Sequence, residues 1–189
     1  MNNKHTKKAI VLHAKQGGGK TTTSRAIAEK LNSIGIKTEF VKFADPLYEM
    51  HKIILNFMED YGHKYEGIKH GLLLQYLGTE FGRKTYGANV WADIAKTKIE
   101  RLPENTIAIV DDCRFKNEFL TFKDQLKIHL VADREIRKQR CENWRDNESH
   151  QSEIDLDDWH DKFDLTFETD KDKSPDKIAE EIVSFFLNS

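Results

Sequence analysis

The residues best suited to chemistry stand close to the N-terminal end, directly after a short apolar run: Ala14-Lys15-Gln16-Gly17-Gly18-Gly19-Lys20-Thr21-Thr22. Consecutive small residues let backbone N–H groups converge on phosphate oxygens, and a helix opening at the end of the run adds its dipole. Lys20 would reach the β- and γ-phosphates as a point charge, and the Thr21 hydroxyl would complete a Mg²⁺ shell. The segment fits the P-loop pattern, with Ala14 in place of the usual first glycine. It implies ATP or a similar triphosphate as ligand and Mg²⁺ as cofactor. It does not say where the phosphoryl group goes.

Other charged residues narrow that choice. The apolar run TIAIV leads into Asp111-Asp112. A strand ending in a carboxylate is the expected partner of a P-loop, since the acid can hold Mg²⁺ through water. Asp112 is the candidate, with Asp111 an open alternative from position alone. Arg114 follows at the carboxyl edge of the expected sheet, where ligands of open α/β sheets bind. A phosphate clamp there suits a kinase whose second substrate is itself phosphorylated. Arg83, closing LGTEFGR, is a second candidate cation, weighed against a solvated helix-end charge. After LKIHLVA comes Asp133-Arg134-Glu135-Ile136-Arg137-Lys138-Gln139-Arg140. On a helix Arg134, Arg137 and Arg140 share one broad face. Most such runs are ordinary charged surface helices.

The elements that must position these groups are legible from periodicity. Ala9–His13 and Lys37–Phe43 read as strands flanking a helix from about Thr21 to Ile34, with Gly35 as its stop. One βαβ unit of this length calls for a parallel sheet. The middle third, about 46–103, reads as helical: Leu47, Met50, Ile54 and Phe57 trace one stripe, and Trp91, Ala95, Ile99 and Leu102 another, with Asn89 available as N-cap. Strand character returns at Thr106–Val110, Leu126–Val131 and, more briefly, Leu165–Phe167. Ser174 and Pro175 open a last helix with Ile178, Ile182, Phe185 and Phe186 on its inner side. The alternation predicts a three-layer α/β sandwich around a parallel sheet of about five strands, in a single domain over 1–189.

Composition excludes other classes. The 189 residues carry 30 Lys+Arg against 32 Asp+Glu, a net charge of −2 that argues against a nucleic acid polymer or an anionic membrane as partner. With 10% aromatics the chain is not of a disordered type. No run has the apolar length of a membrane span, MNNKHTKKAIVLH lacks a signal-peptide core, and Cys113 and Cys141 lack zinc spacing, so a cytoplasmic protein is expected.

The phosphate loop KQGGGKTTT, with Lys15, resembles the deviant loop of the ParA/MinD partitioning ATPases, which makes an ATP-switched, partner-binding protein one alternative. No NKxD-type segment supports a GTPase. The segment DCRFKNE (Asp112–Glu118) resembles the DxRFxNE stretch of bacteriophage-type deoxynucleoside monophosphate kinases. FADPL, LLQYLGTEFGR followed by Trp91, and His150-Gln151-Ser152-Glu153 before DLTFETD agree in the same order, so with the P-loop the resemblance spans most of Ala9–Asp170. Ala14, Cys113 and Gln151 depart from the pattern. The resemblance implies transfer of the ATP γ-phosphoryl group to a deoxynucleoside 5′-monophosphate (dNMP) in the cytoplasm, that of the host for a phage-encoded chain, with Arg114 on the acceptor phosphate. It also implies a lid over about residues 133–153, with Arg137 and Arg140 closing on the transferred phosphate. It assigns Asp45, Gln75, Thr79, Glu80 and Trp91 to base or sugar, and Glu153 to a phosphate-binding arginine. Trp91 at helical spacing also fits a core position, and the polar residues also fit caps. Relatives suggest a homodimer. The enzyme alternative is a similar kinase of another phosphorylated metabolite, such as phosphomevalonate.

Overall fold

The computed structural model describes residues 7–66, 70–142, 144, 146, 149–171 and 173–189. Five strands, β1 (Ala9–His13), β2 (Lys37–Phe40), β3 (Thr106–Val110), β4 (Leu126–Val131) and β5 (Leu165–Glu168), form one sheet in the order β2-β3-β1-β4-β5. All four pairings are parallel. Every residue of β1 and β3 is buried, as continuous apolar runs in a doubly covered sheet require.

Side-chain alternation along β1 divides the interior in two. Ile10 and Leu12 face a core shared with α1 (Lys20–Ser33) and α9 (Pro175–Leu187), through Ile27, Leu31, Ile178, Ile182 and Phe186. Ala9 and Val11 face the opposite core, where α5 (Val90–Glu100) and α6 (Lys116–Thr121) supply Ala92, Ala95, Ile99 and Phe119. The three expected layers are therefore present. Ser174 caps α9 by accepting from the Lys177 N–H, and Gly35 takes a left-handed φ of 84° after α1. Strand β2 is shorter than expected, closing at Phe40, although the Val41 N–H still donates to the Ile109 carbonyl. Asn89 stands at the N-cap of α5 without a side-chain capping bond; its Oδ1 accepts from Asn117 instead.

The middle third is helical but only partly packed. In α2 (Asp45–Asp60) only His51 is buried, and Phe57 of the expected stripe is 59% exposed. Beyond it α3 (Gly71–Gln75) runs into a π-helical segment, Tyr76–Arg83, and then α4 (Lys84–Tyr86). A single π stretch widens the helix by one residue and is frequent at functional sites. Here Trp91 Nε1 donates to the Gly78 carbonyl at 2.9 Å, and the indole fills the space a side chain at Gly82 would need. Short helices α7 (Arg134–Gln139) and α8 (Gln151–Ile154) and a 3₁₀ segment, Asp157–Lys162, complete the carboxyl edge of the sheet. Among the described residues no helix is long and apolar enough to cross a membrane.

Candidate active site

Strand β1 delivers the chain to the middle of the carboxyl edge, and the loop that follows turns on its glycines. Gly17 and Gly19 have φ of 73° and 86°, a region that costs glycine nothing. A Cβ on Gly17 would strike the Arg137 carbonyl, and one on Gly18 would lie 2.8 Å from Ala14 Cβ. Small residues are therefore dictated by space as well as by angle. Gly19 is the N-cap of α1 with no side-chain cap, so the first amides of the helix stay available to an anion. The Lys20 ammonium folds back onto the carbonyls of Ala14 and Lys15. Burial, then the neighbouring Arg114 charge, lowers its pKa to about 7.

Two cavities of about 670 Å³ each meet along this loop. The first is lined by Gln16 to Thr23, Arg140, Thr169, Lys173 and Pro175, and it has the phosphate loop as its floor. The second is lined by Lys42, Phe43, Tyr48, Arg83, Trp91, Asp112, Phe115, Glu118 and Glu153. Gln16 and Arg114 line both. The guanidinium of Arg114 is thus on the wall between a phosphate loop and a pocket with aromatic sides.

The arginines separate by environment. Arg83 lies 5.1 Å over the Phe115 ring and faces the second cavity. Arg140 donates to Thr169 Oγ1 and its carbonyl at 3.1 and 2.8 Å and lines the first. Arg137, expected as a lid cation, is buried beneath the loop: its Nη1 donates to the Gln16 carbonyl and its Nε to the Ala132 carbonyl. It lines neither cavity. Residues 143, 145, 147 and 148 of the expected lid lie outside the described residues.

The two aspartates also divide. Both Asp112 oxygens accept backbone N–H bonds, from Phe43 and Ala44, and burial raises its pKa to about 6. Asp111 is buried, accepts from Ser24 Oγ at 3.2 Å, and keeps Oδ1 without a hydrogen bond although the Lys42 ammonium is 3.3 Å away. The single Ser24 hydroxyl proton is shared between Asp111 and the Thr21 carbonyl, 3.1 Å away, which links Asp111 to the first turn of α1. Among the described residues no three His, Cys, Asp or Glu side chains form a metal cluster. A Mg²⁺ held by a hydroxyl, phosphates and water does not need one.

Of the remaining expected residues, Trp91 is buried yet borders the second cavity, and Glu153 accepts from Arg114 Nη1 and from the Gln16 N–H. Asp45 closes a turn onto the Lys42 N–H, Glu80 pairs with Lys84 at 2.7 Å, Gln75 is exposed and Thr79 half-buried. None of these four lines the cavity. Lys15, the mark of the partitioning-ATPase alternative, is paired within its own chain to Asp157 at 2.7 Å. Glu118, not singled out from sequence, accepts from the N–H groups of Arg114 and Phe115 at 2.8 and 3.1 Å. Burial raises its pKa to about 7.

No family model matches the sequence, and comparison with curated proteins gives no match. Solved structures do match, across nearly the whole chain. APS kinase of Mycobacterium tuberculosis, in complex with AMPPNP and APS, superposes with a TM-score of 0.56 at 14% identity, covering 97% of this chain and 98% of that one. Shikimate kinase of Acinetobacter baumannii, in complex with shikimate, gives 0.55 at 15% identity over 97% and 95%, and that of Aquifex aeolicus 0.52 at 17% over 95% and 96%. The fold is that of the P-loop kinases. The shared parallel sheet places loop and cavities at its carboxyl edge, where such folds bind ligands.

Proposed function

We propose that the protein is an ATP-dependent kinase that transfers the γ-phosphoryl group to the 5′-phosphate of a deoxynucleoside monophosphate. The observation carrying this reading is Arg114: one guanidinium borders both the phosphate-loop cavity and the second pocket. Between two anions, catalysis is chiefly positioning and neutralisation of charge, and no strong general base is needed. Lys20 and the α1 amides take the donor phosphates, Arg114 and Arg83 the acceptor phosphate, and Arg140 closes the donor side. Phe43, Tyr48, Phe115 and Trp91 give the second cavity aromatic walls suited to a base. Lys42, Arg83 and Arg114 face Asp112, Glu118 and Glu153 there; with Glu118 titrating at about 7, the cations prevail near neutral pH. Thr21 and the unbonded oxygen of Asp111 are the groups that fit Mg²⁺, with Asp112 committed to the backbone of Phe43 and Ala44. The ion would neutralise charge on the triphosphate.

A second reading rests on Asp112. A carboxylate lining the acceptor cavity also suits a hydroxyl acceptor, the kind of small metabolite bound in the shikimate kinase structure. A coupled ADP-release assay decides between them. Stimulation by one or more of dGMP, dTMP, dCMP and dAMP above ribonucleotides and above background supports the dNMP kinase. Absence of stimulation by any nucleotide refutes it.

A further inference from the structure

A lid is expected to end near residue 153, but the segment Gln151–Lys162 is tied down on both sides of the site. Asp155 accepts from the Lys116 N–H at 2.7 Å, Asp157 pairs with Lys15 at 2.7 Å, and Asp158 pairs with the Lys116 ammonium at 2.8 Å. Leu156, 1% exposed, anchors the segment in the core beside Phe119. Its acids therefore hold the phosphate loop and the Arg114 loop together. Glu153 does this most directly, because it is 5% exposed and each of its oxygens serves a different loop. Oε2 accepts from the Gln16 N–H at 3.0 Å and Oε1 accepts from Arg114 Nη1. Gln16 and Arg114 are the two residues common to both cavities.

We propose that Glu153 is a positioning residue that fixes the phosphate loop and Arg114 relative to each other, and so couples occupancy of the two cavities. A buried carboxylate cannot exchange a lost partner for water without cost, so its two bonds hold or fail together. A ligand that orders the Gln16 amide fixes the carboxylate, and with it the guanidinium awaiting the second ligand. The second ligand then meets a site already ordered, which is positive coupling. The inference rests on reading the cavities as donor and acceptor sites.

The test is calorimetric binding of Mg·AMPPNP to wild type and E153Q, with and without a saturating dNMP, and separately with and without inorganic phosphate as an anion probe. Wild type is expected to bind AMPPNP about fivefold or more tighter with the second anion present. In E153Q that factor falls to within about twofold of unity. In steady state E153Q loses kcat, and each KM at saturating co-substrate rises by about the lost coupling factor while each KM at low co-substrate changes little, since Arg114 keeps its charge but not its place. A purely structural lesion would raise the KM values at low co-substrate as well. Wild-type coupling retained in folded E153Q overturns the inference, as does a wild type that binds both anions without coupling. If wild type binds no dNMP, the proposed function fails and the phosphate series decides this inference alone. Should E153Q melt below the assay temperature, D157N, at a partly exposed carboxylate, is expected to lose part of the coupling; undiminished coupling there overturns the inference too.

Discussion

At the scale of single residues, the site depends on cations held close together without a ligand. Lys20 is buried, adjoins Arg114, and has its pKa lowered to about 7. A bound triphosphate favours the charged ammonium and restores a higher value. Between about pH 7 and the ordinary lysine value of 10.5, binding must therefore take up a proton. Titrations of Mg·AMPPNP at pH 8 in buffers of different ionisation enthalpy should show that uptake in wild type and not in Lys20→Met; equal observed heats in all the buffers for wild type would remove Lys20 from the phosphates. Arg114→Ala should lower phosphoryl transfer by about a hundredfold or more while changing AMPPNP affinity far less, because its acceptor contact matters most in the transition state. Parallel loss of AMPPNP binding would place Arg114 on the donor instead. The small side chains of the loop after β1 were legible residue by residue, and its backbone angles and close contacts select the same residues. The split between Asp111 and Asp112 was not, because it depends on the Phe43 and Ala44 amides, distant in sequence and brought there by β2.

At the scale of elements, the π-helical stretch and α5 act as one wall of the second cavity. The indole of Trp91 occupies the space beside Gly82 and bonds the Gly78 carbonyl. Gly82→Ala should overpack this contact at about 1–3 kcal/mol and lower the melting temperature by several degrees. A dNMP kinase should also show a raised acceptor KM with ATP KM unchanged; an unaltered melting curve would mean the wall yields without cost. LLLQYLGTEFGR reads as apolar and turn-rich, and nothing in its spacing announces a π turn, which needs Trp91 to arrive from another helix. The acids from Asp155 to Asp158 were equally hidden. In sequence they look like a solvated charged run, yet Asp157 pairs with a lysine 142 positions away. Strands β1, β3 and β4 were legible to the residue because β1 and β3 are nearly continuous apolar runs and Leu126, Ile128 and Leu130 alternate through β4.

At the scale of the whole molecule, buried histidines and buried carboxylates pull stability in opposite directions. His13 and His129 lie at the carboxyl edge with ring centroids 5.4 Å apart, and burial lowers their pKa values to about 3 and 4 from 6.5. The folded state therefore binds fewer protons there than the unfolded one below about pH 6.5, and acid destabilises. Asp112 and Glu118 are raised to about 6 and 7 from 3.8 and 4.5, so over much of the same window the folded state binds more protons, and acid relieves their cost. The two pairs of groups thus oppose each other over this window. Glu118→Gln removes one opposing group, so between pH 4.5 and 6.5 its stability should fall on acidification by about 1 kcal/mol per pH unit more than wild type. Urea unfolding across that range measures the slope, and parallel curves for the two proteins would refute the balance.

The place of β1 in the sheet has a kinetic consequence. Its neighbours, Ala108 to Val110 on one side and Leu126 to His129 on the other, come from the second half of the chain. Such pairing is non-local and slow to form, and the phosphate loop has no anchored strand until both partners have arrived. On the proposed function, a nucleotide meets a binding loop only once β1 is paired on both sides. Mg·AMPPNP should slow unfolding in proportion to its binding energy and leave the refolding rate unchanged, so the donor acts as a lock on the finished sheet and not as a template for it.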